Sequence, residues 1–129
     1  NLFSVAFFLA FSIEELTMIN VKRELTPYYF NAVNMHLLTS DFEGSPNSVK
    51  EAMSCNIPVV STDVGNVKEL FEGVNSCLIS SNDPIALSKS CIEVMKAKNI
   101  DSRDGIIKKK LDIQNVAKNL KGLYINLIK

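Results

Sequence analysis

Apolar residues along this chain fall into two alternating kinds of stretch. Short continuous apolar runs bounded by polar residues predict strands, and they occupy residues 2–11, 14–21, 34–39, 57–61 and 77–80. Stretches with apolar residues at every third or fourth position predict helices over 24–33, 45–55 and 66–71, then from Asp83, over 106–110, and from Asp112 onward. Strands that alternate with helices indicate an α/β fold, in which helices flank a mainly parallel sheet.

Several helix starts can be predicted from single residues. Ser45 is expected to cap the first long helix, with Pro46 at its first helical position. Asp83 and Pro84 repeat that arrangement at a later helix, and Asp112 is expected to cap the last one.

Each of the longer helices carries an apolar face that should turn toward the sheet. The predicted inward residues are, helix by helix, Val49, Ala52 and Met53; then Leu87, Cys91, Val94 and Met95; then Val116, Leu120, Leu123, Tyr124 and Leu127. A chain of this length can bury one real core, so residues 1–129 are predicted to form a single domain.

Composition excludes several classes of function. The formal net charge is zero, from 14 basic and 14 acidic residues, and this argues against a nucleic-acid-binding protein, which normally carries a basic excess. Cys55, Cys77 and Cys91 are irregularly spaced without a C-x-x-C pair, and the single histidine, His36, lies in an apolar run. A disulfide framework and a zinc site are therefore not expected. We expect three buried, reduced thiols in a cytoplasmic protein.

The apolar run over residues 2–11, LFSVAFFLAF, is too short for a membrane-spanning helix, which needs about 20 apolar residues. It has neither the preceding basic residues nor the following cleavage site of a signal peptide. We interpret it as a buried strand or as a truncated element that lacks its partner.

Two loops are predicted to meet at one edge of the sheet. Right-handed crossovers bring the loops that follow parallel strands to the carboxyl edge, where such folds bind ligands. The loops over 40–46 and 62–66 both follow predicted strands. A ligand site is therefore expected between them.

The helix that starts at Ser45 provides the chemistry for an anion. A helix start carries free amide groups and a partial positive charge, so Asn47, Ser48 and Val49 could bind a diphosphate through the backbone. Gly44 allows close approach of the loop. The alternative is a helix that is simply well capped.

Two glutamates extend this candidate site. Asn47 and Glu51 share one helical face at i and i+4, and the carboxylate of Glu51 could accept two hydrogen bonds from a ribose diol. Glu43, in the loop, would meet a sugar beyond the diphosphate. Taken singly, each acid could equally be a solvated surface residue, so the spacing of the pair carries the hypothesis.

Residues 43–53, EGSPNSVKEAM, resemble the E-x7-E segment of retaining group-1 (family four) glycosyltransferases with the GT-B fold. The likeness continues through IPVVSTDVG at 57–65, through KEL at 68–70, and into Asp83-Pro84 and the following helix. It covers residues 24 to 127 in all. The resemblance implies a Rossmann-like sheet in the C-terminal, donor-binding half of a two-domain enzyme.

The resemblance also implies roles for individual residues. Glu43 matches the glutamate that contacts the donor sugar near the reacting centre, and Glu51 matches the one that binds the ribose hydroxyls. The backbone loop for the distal phosphate corresponds to Gly44, Ser45, Pro46, Asn47 and Ser48, and the loop that touches the nucleobase corresponds to Val21 and Lys22. Such enzymes transfer a sugar from a nucleotide-diphosphate donor to a saccharide or lipid-linked acceptor. No metal or other cofactor is implied.

The chain departs from this family at two points. The Arg and Lys that neutralise the donor diphosphate lie on an earlier segment in relatives, whereas residues 1–20 contain no basic residue. The acceptor-binding N-terminal domain has no counterpart in these residues, so the chain alone is expected to be inactive. Relatives often act at the cytoplasmic membrane face, and peripheral association there stays open.

Three alternatives remain from the sequence. A sugar-nucleotide epimerase of similar architecture would use the same sheet edge for a diphosphate, although the E-x7-E segment favours transfer. A phosphoacceptor receiver domain has a similar length but needs an acidic pair and a phosphorylatable Asp that these loops do not match. The third is a nucleotide-sugar-binding or assembly module that has lost catalysis.

Overall fold

The computed structural model of the chain describes residues 5–7, 16–18 and 21–128, with side chains from residue 21 onward. Five strands are present in these ranges: β1 (Val5–Phe7), β2 (Leu16–Met18), β3 (His36–Leu38), β4 (Val59–Thr62) and β5 (Cys77–Ser80). The helices are a 3-10 turn (Arg23–Leu25), α1 (Thr26–Asn31), α2 (Asn47–Ser54), α3 (Val67–Phe71), α4 (Pro84–Met95), α5 (Ser102–Lys108) and α6 (Ile113–Leu127).

The main sheet is parallel, as the sequence predicts. Its strand order is β3-β4-β5, with His36 opposite Val59 and Val59 opposite Cys77. The strands predicted over 2–11 and 14–21 are observed as β1 and β2, which pair with each other in an antiparallel two-stranded sheet. The predicted burial of residues 2–11 concerns side chains that lie outside the described residues.

The central strand β4 separates two apolar layers. Its four residues are all buried, and successive side chains of a strand point to opposite faces. On one face Val59 joins Val49, Ala52, Met53 and Leu70 from α2 and α3, and on the other face Val60 packs with Leu87 and Val94 from α4. This three-layer arrangement confirms the α/β prediction and the predicted inner face of α2.

The edge strand β3 is only partly buried, although a continuous apolar run such as 34–39 is typical of a strand that is buried on both faces. His36 is buried, but Leu37 and Leu38 are half-buried, because β3 pairs only with β4 among the described strands. The ring of Phe30 meets the His36 imidazole edge-on at 5.5 Å. Burial lowers the pKa of His36 from 6.5 to about 4, so it is a neutral core residue at pH 7.

The three thiols are free, as expected, but only one is buried. Cys77 is buried, whereas Cys55 and Cys91 are half-buried. Desolvation raises the pKa of all three thiols, which keeps them in the protonated, weakly reactive form.

Asp101 fastens the turn before β5 to the start of α5. Its carboxylate accepts hydrogen bonds from the backbone amides of Asn75 and Ser76 at 3.0 Å and from the Ser76 hydroxyl at 2.8 Å. The Ser76 and Ser102 hydroxyls, both fully buried, lie 2.8 Å apart. Desolvation favours a raised pKa for Asp101, but these hydrogen bonds outweigh it and lower the pKa.

The predicted inward face of the last helix is wrong. Val116, Leu120, Leu123, Tyr124 and Leu127 are all exposed, and α6 has no buried residue in the described structure. Lys110, in the turn before α6, has a positive φ of +55°, and α6 buries none of its residues against the sheet. Met95, predicted to be inward on α4, is likewise 51% exposed because it occupies the last turn of that helix.

Candidate functional site

Two loops at the carboxyl edge of the sheet are joined, as the sequence predicts. The hydroxyl of Thr62, at the end of β4, donates a hydrogen bond of 2.6 Å to the carbonyl of Ser40 after β3. Gly65 lies directly against Gly44 with φ at +53°, and a Cβ atom built on it would lie 2.8 Å from the carbonyl oxygen of Glu43. Only glycine permits both this conformation and this approach. The loop of Glu43 is therefore braced by its neighbour.

The side chain of Glu43 is held within that loop. It is half-buried, and its Oε1 accepts a hydrogen bond of 3.1 Å from the Ser40 hydroxyl. Asn82, in the loop after β5, donates from Nδ2 to Asp41 at 2.8 Å. Contacts from both neighbouring loops thus fix the segment that carries the glutamate.

The start of α2 differs from its predicted form. Pro46, with φ −64° and ψ 117°, is the N-cap, and no side chain caps the helix. The prediction that Ser45 caps α2 is therefore wrong, because its hydroxyl accepts a 3.0 Å hydrogen bond from the Lys50 ammonium instead. By contrast, Asp83 and Asp112 cap α4 and α6 as predicted, accepting from the amides of Ala86 and Asn115.

The amides at this helix start are available for a ligand. The first intrahelical bond runs from the Lys50 amide to the Pro46 carbonyl at 3.5 Å. The amides of Asn47, Ser48 and Val49 precede it, and such groups are the donors that bind anions at helix starts. Val49 is fully buried, so a ligand can reach the amides of Asn47 and Ser48.

A groove of about 370 Å³ runs between α1 and α2. It is lined by Arg23, Thr26, Pro27, Phe30, Asn47, Lys50, Glu51, Ser54 and Cys55. The prediction that Asn47 and Glu51 share a face is confirmed. The pKa of the Cys55 thiol is raised, chiefly by desolvation. The charge of Arg103 opposes this shift, and the Glu51 carboxylate adds to it.

Val21 and Lys22 lie outside this groove. Both are exposed, and the Lys22 carbonyl accepts from the Leu25 amide at 2.9 Å to begin the 3-10 turn. The next residues of the same segment, Arg23 and Thr26, do line the groove. The assignment of Val21 and Lys22 to a loop that touches the nucleobase stays a prediction.

Sequence reasoning missed the cations of the groove. Lys50 is three residues after Asn47, a spacing that places two side chains side by side on a helix, and this spacing could have identified it. Arg23 carries no comparable signal, because its place depends on how α1, which directly follows it, packs against α2.

In the part of the chain that the structure describes, no three His, Cys, Asp or Glu side chains come close enough together to hold a metal ion. Within the same residues, none of the helices has both the length and the apolar character needed to cross a membrane.

Comparisons with known proteins agree on the chemistry class. Residues 13–97 match the family model described as glycosyl transferases group 1. The chain is 31% identical over 96 residues to the Vi polysaccharide biosynthesis protein VipC/TviE of Salmonella typhi. This match covers 73% of the chain and 16% of that protein. The chain is 37% identical over 62 residues to the putative teichuronic acid biosynthesis glycosyltransferase TuaC of Bacillus subtilis (strain 168), covering 48% of the chain and 16% of that protein.

No solved structure matches the chain significantly. The chain spans only about a sixth of the length of the two relatives. The family match, however, extends over well more than half of the residues, including both glutamates and both loops. The chain therefore belongs to the group 1 glycosyltransferases.

Proposed function

We propose that the chain binds a nucleotide-diphosphate sugar as the donor for retaining transfer to a saccharide or lipid-linked acceptor. It would form part of the C-terminal, donor-binding half of a GT-B enzyme. The family membership and the polysaccharide-related names of both relatives support this proposal.

One observation carries the proposal: the uncapped start of α2 and the Asn47–Glu51 face belong to one continuous surface. A nucleoside diphosphate needs an acceptor for its ribose diol and donors for its phosphates. The Glu51 carboxylate provides the first, and the amides of Asn47 and Ser48 provide the second. The helix is short enough for one ligand to reach both.

Glu43 acts on the sugar in this proposal. It lies in the loop before α2, beyond the diphosphate position, and its orientation is fixed through Ser40. As the glycosidic bond to the diphosphate breaks, negative charge grows on the leaving group. Fixed donors at the helix start stabilise that charge, as positioned dipoles do in transition states generally.

The remaining parts of the reaction lie outside these residues. The acceptor binds to another domain of the intact protein, so the 129 residues alone should transfer no sugar. The family resemblance implies that the reaction requires no metal ion and no further cofactor. The proposed place of action is the cytoplasm, with peripheral contact at the inner membrane face.

Calorimetry tests the ribose assignment. A panel of uridine, cytidine, guanosine and adenosine diphosphates is titrated into the intact protein, and the tightest binder is repeated with Glu51→Ala. Loss of a hydrogen bond to a charged group costs about 1.5–3 kcal/mol, so affinity should fall roughly tenfold to a hundredfold. Glu93→Ala, which removes an exposed acid of α4, is the matched control and should leave affinity unchanged. Equal affinity for Glu51→Ala and wild type would rule out the ribose role.

Transfer activity tests the role of Glu43. Glu43→Gln in the intact enzyme keeps the size of the side chain but removes its charge. The rate of transfer from the nucleotide sugar should fall by about 100-fold or more, the scale at which single catalytic groups act. A rate equal to that of a Glu93→Gln control would contradict the assignment.

A further inference from the structure

Lys50 occupies an electrostatically unfavourable place in α2. It is the fourth helical residue, and because the Cα–Cβ bonds of a helix tilt toward its N-terminus, the long side chain reaches back to the helix start. There the ammonium donates to the Ser45 hydroxyl at 3.0 Å. Cations are favoured at the C-terminal end of a helix and disfavoured at the start. Its acceptor is a neutral hydroxyl, which does not offset that cost.

The side chain also faces the groove rather than open solvent. Lys50 is half-buried and lines the groove together with Arg23, Asn47 and Glu51. The groove therefore presents two cations and one carboxylate. Such a surface is complementary to a ligand with several negative charges at one end and hydroxyls at the other.

A diphosphate held by backbone amides alone would keep most of its charge uncompensated. The ammonium of Lys50 reaches the segment that would hold the distal phosphate, since Ser45 belongs to that segment.

We infer that Lys50 is a donor-binding residue whose ammonium contacts the diphosphate and supplies its counter-charge. This inference rests on the proposed function. Ser45 is a positioning residue in this arrangement, because its hydroxyl holds the ammonium beside the helix start before the donor binds. An entering phosphate oxygen replaces the hydroxyl as the partner of Lys50 or shares it.

The test compares a nucleoside diphosphate with its own nucleoside. The nucleoside diphosphate that binds the intact protein most tightly is titrated by calorimetry into wild type, Lys50→Ala, Lys50→Arg and Lys68→Ala, and the titrations are repeated with the corresponding nucleoside. Lys68, exposed on α3 and away from the groove, is the matched control. Thermal unfolding of each variant shows that it is folded.

Lys50→Ala should weaken diphosphate binding about tenfold or more and change nucleoside binding less than twofold. Lys50→Arg should restore most of the affinity, and Lys68→Ala should match wild type. Raising the salt concentration should weaken diphosphate binding to wild type more than to Lys50→Ala. Equal losses for nucleoside and diphosphate, or no loss at all, would overturn the inference while leaving the proposed function intact. A wild-type protein that binds none of the four nucleoside diphosphates would overturn the proposed function itself, and this inference with it.

Discussion

The starts of α2 and α4 have similar sequences, a polar residue followed by proline, but only α4 is capped by a side chain. At α4, Asp83 accepts from the Ala86 amide at 2.8 Å, and Pro84 fills the first helical position. At α2, the polar residue before the proline turns to Lys50, and no side chain caps the helix. The start of α4 satisfies one of its amides with its own aspartate, whereas no side chain satisfies an amide at the start of α2.

The two starts are also held in different ways. The loop before α2 is braced from outside, by Thr62 and Gly65 of the neighbouring loop. The start of α4 depends on its own aspartate. A helix start that contributes only stability can be self-contained, whereas one that binds a ligand needs its donors free and its shape supported from elsewhere. Variants that affect one start and not the other test this contrast.

The largest effect is expected at Gly65. Gly65→Ala introduces a side chain at φ +53° and into the backbone of residues 43 and 44. Strain and overpacking together should lower the free energy of unfolding by about 3 kcal/mol or more, and should displace the loop of Glu43. Urea unfolding measures the first effect and calorimetry with a nucleoside diphosphate the second.

Gly122 provides the control for this substitution. It lies within α6 with open space around the position of a Cβ atom. Gly122→Ala should therefore stabilise the protein by about 0.5–1 kcal/mol through helix propensity. A Gly65→Ala variant that behaved like Gly122→Ala would show that the close approach of the two loops is not needed.

The strand that leads into α2 should make stability depend on pH. Burial holds the pKa of His36 at about 4 in the folded protein instead of 6.5, so between these values the unfolded chain binds a proton that the folded chain does not. Stability is full above about pH 6.5, and it falls as the pH drops toward 4, by about 2 kcal/mol between pH 7 and pH 5. Urea unfolding at both pH values measures the change. His36→Leu should remove most of it, and an undiminished pH dependence in that variant would contradict the assignment.

The smallest effects separate the two helix starts directly. Asp83→Ala should cost about 1 kcal/mol of stability through the lost cap, without changing nucleotide affinity. Ser45→Ala should change stability by less than about 0.5 kcal/mol, because its hydroxyl caps no amide, and it should weaken diphosphate binding slightly by releasing Lys50. Thermal unfolding measures the stability of both variants, and calorimetry measures their affinity for the nucleoside diphosphate. A clear stability loss for Ser45→Ala would mean that α2 is capped like α4.

The sequence predicted most of the layers because their signals are local. β4 and β5, with apolar or β-branched residues, and the aspartate caps of α4 and α6 depend on neighbours in the chain. The face of α6 could not be predicted in the same way. Its periodicity resembles that of α2, yet Val49 is fully buried and Leu123 is 62% exposed. Periodicity identifies the apolar side of a helix, and only the tertiary structure determines whether that side is covered.

The acids of the candidate site were predicted from the sequence, and its cations were not. The spacing of Glu43 and Glu51 follows from residues within one loop and one helix. The groove residue Arg23 reaches its place through the packing of α1 against α2, a contact between segments that are distant in the sequence. The Ser45–Lys50 hydrogen bond competes with capping, and side-chain competition of this kind is not visible in a capping motif.

The contrast between the two helix starts can be measured by backbone amide chemical shifts. A nucleoside diphosphate is titrated into the ¹⁵N-labelled protein while the amides of Asn47, Ser48 and Val49 are followed together with those of Ile85 and Ala86 in α4. We predict large, saturable shifts for the three amides at α2 and none for the two at α4. Saturable shifts confined to α4, or no shift at α2 at saturating nucleotide, would contradict the proposal that the start of α2 binds the donor diphosphate.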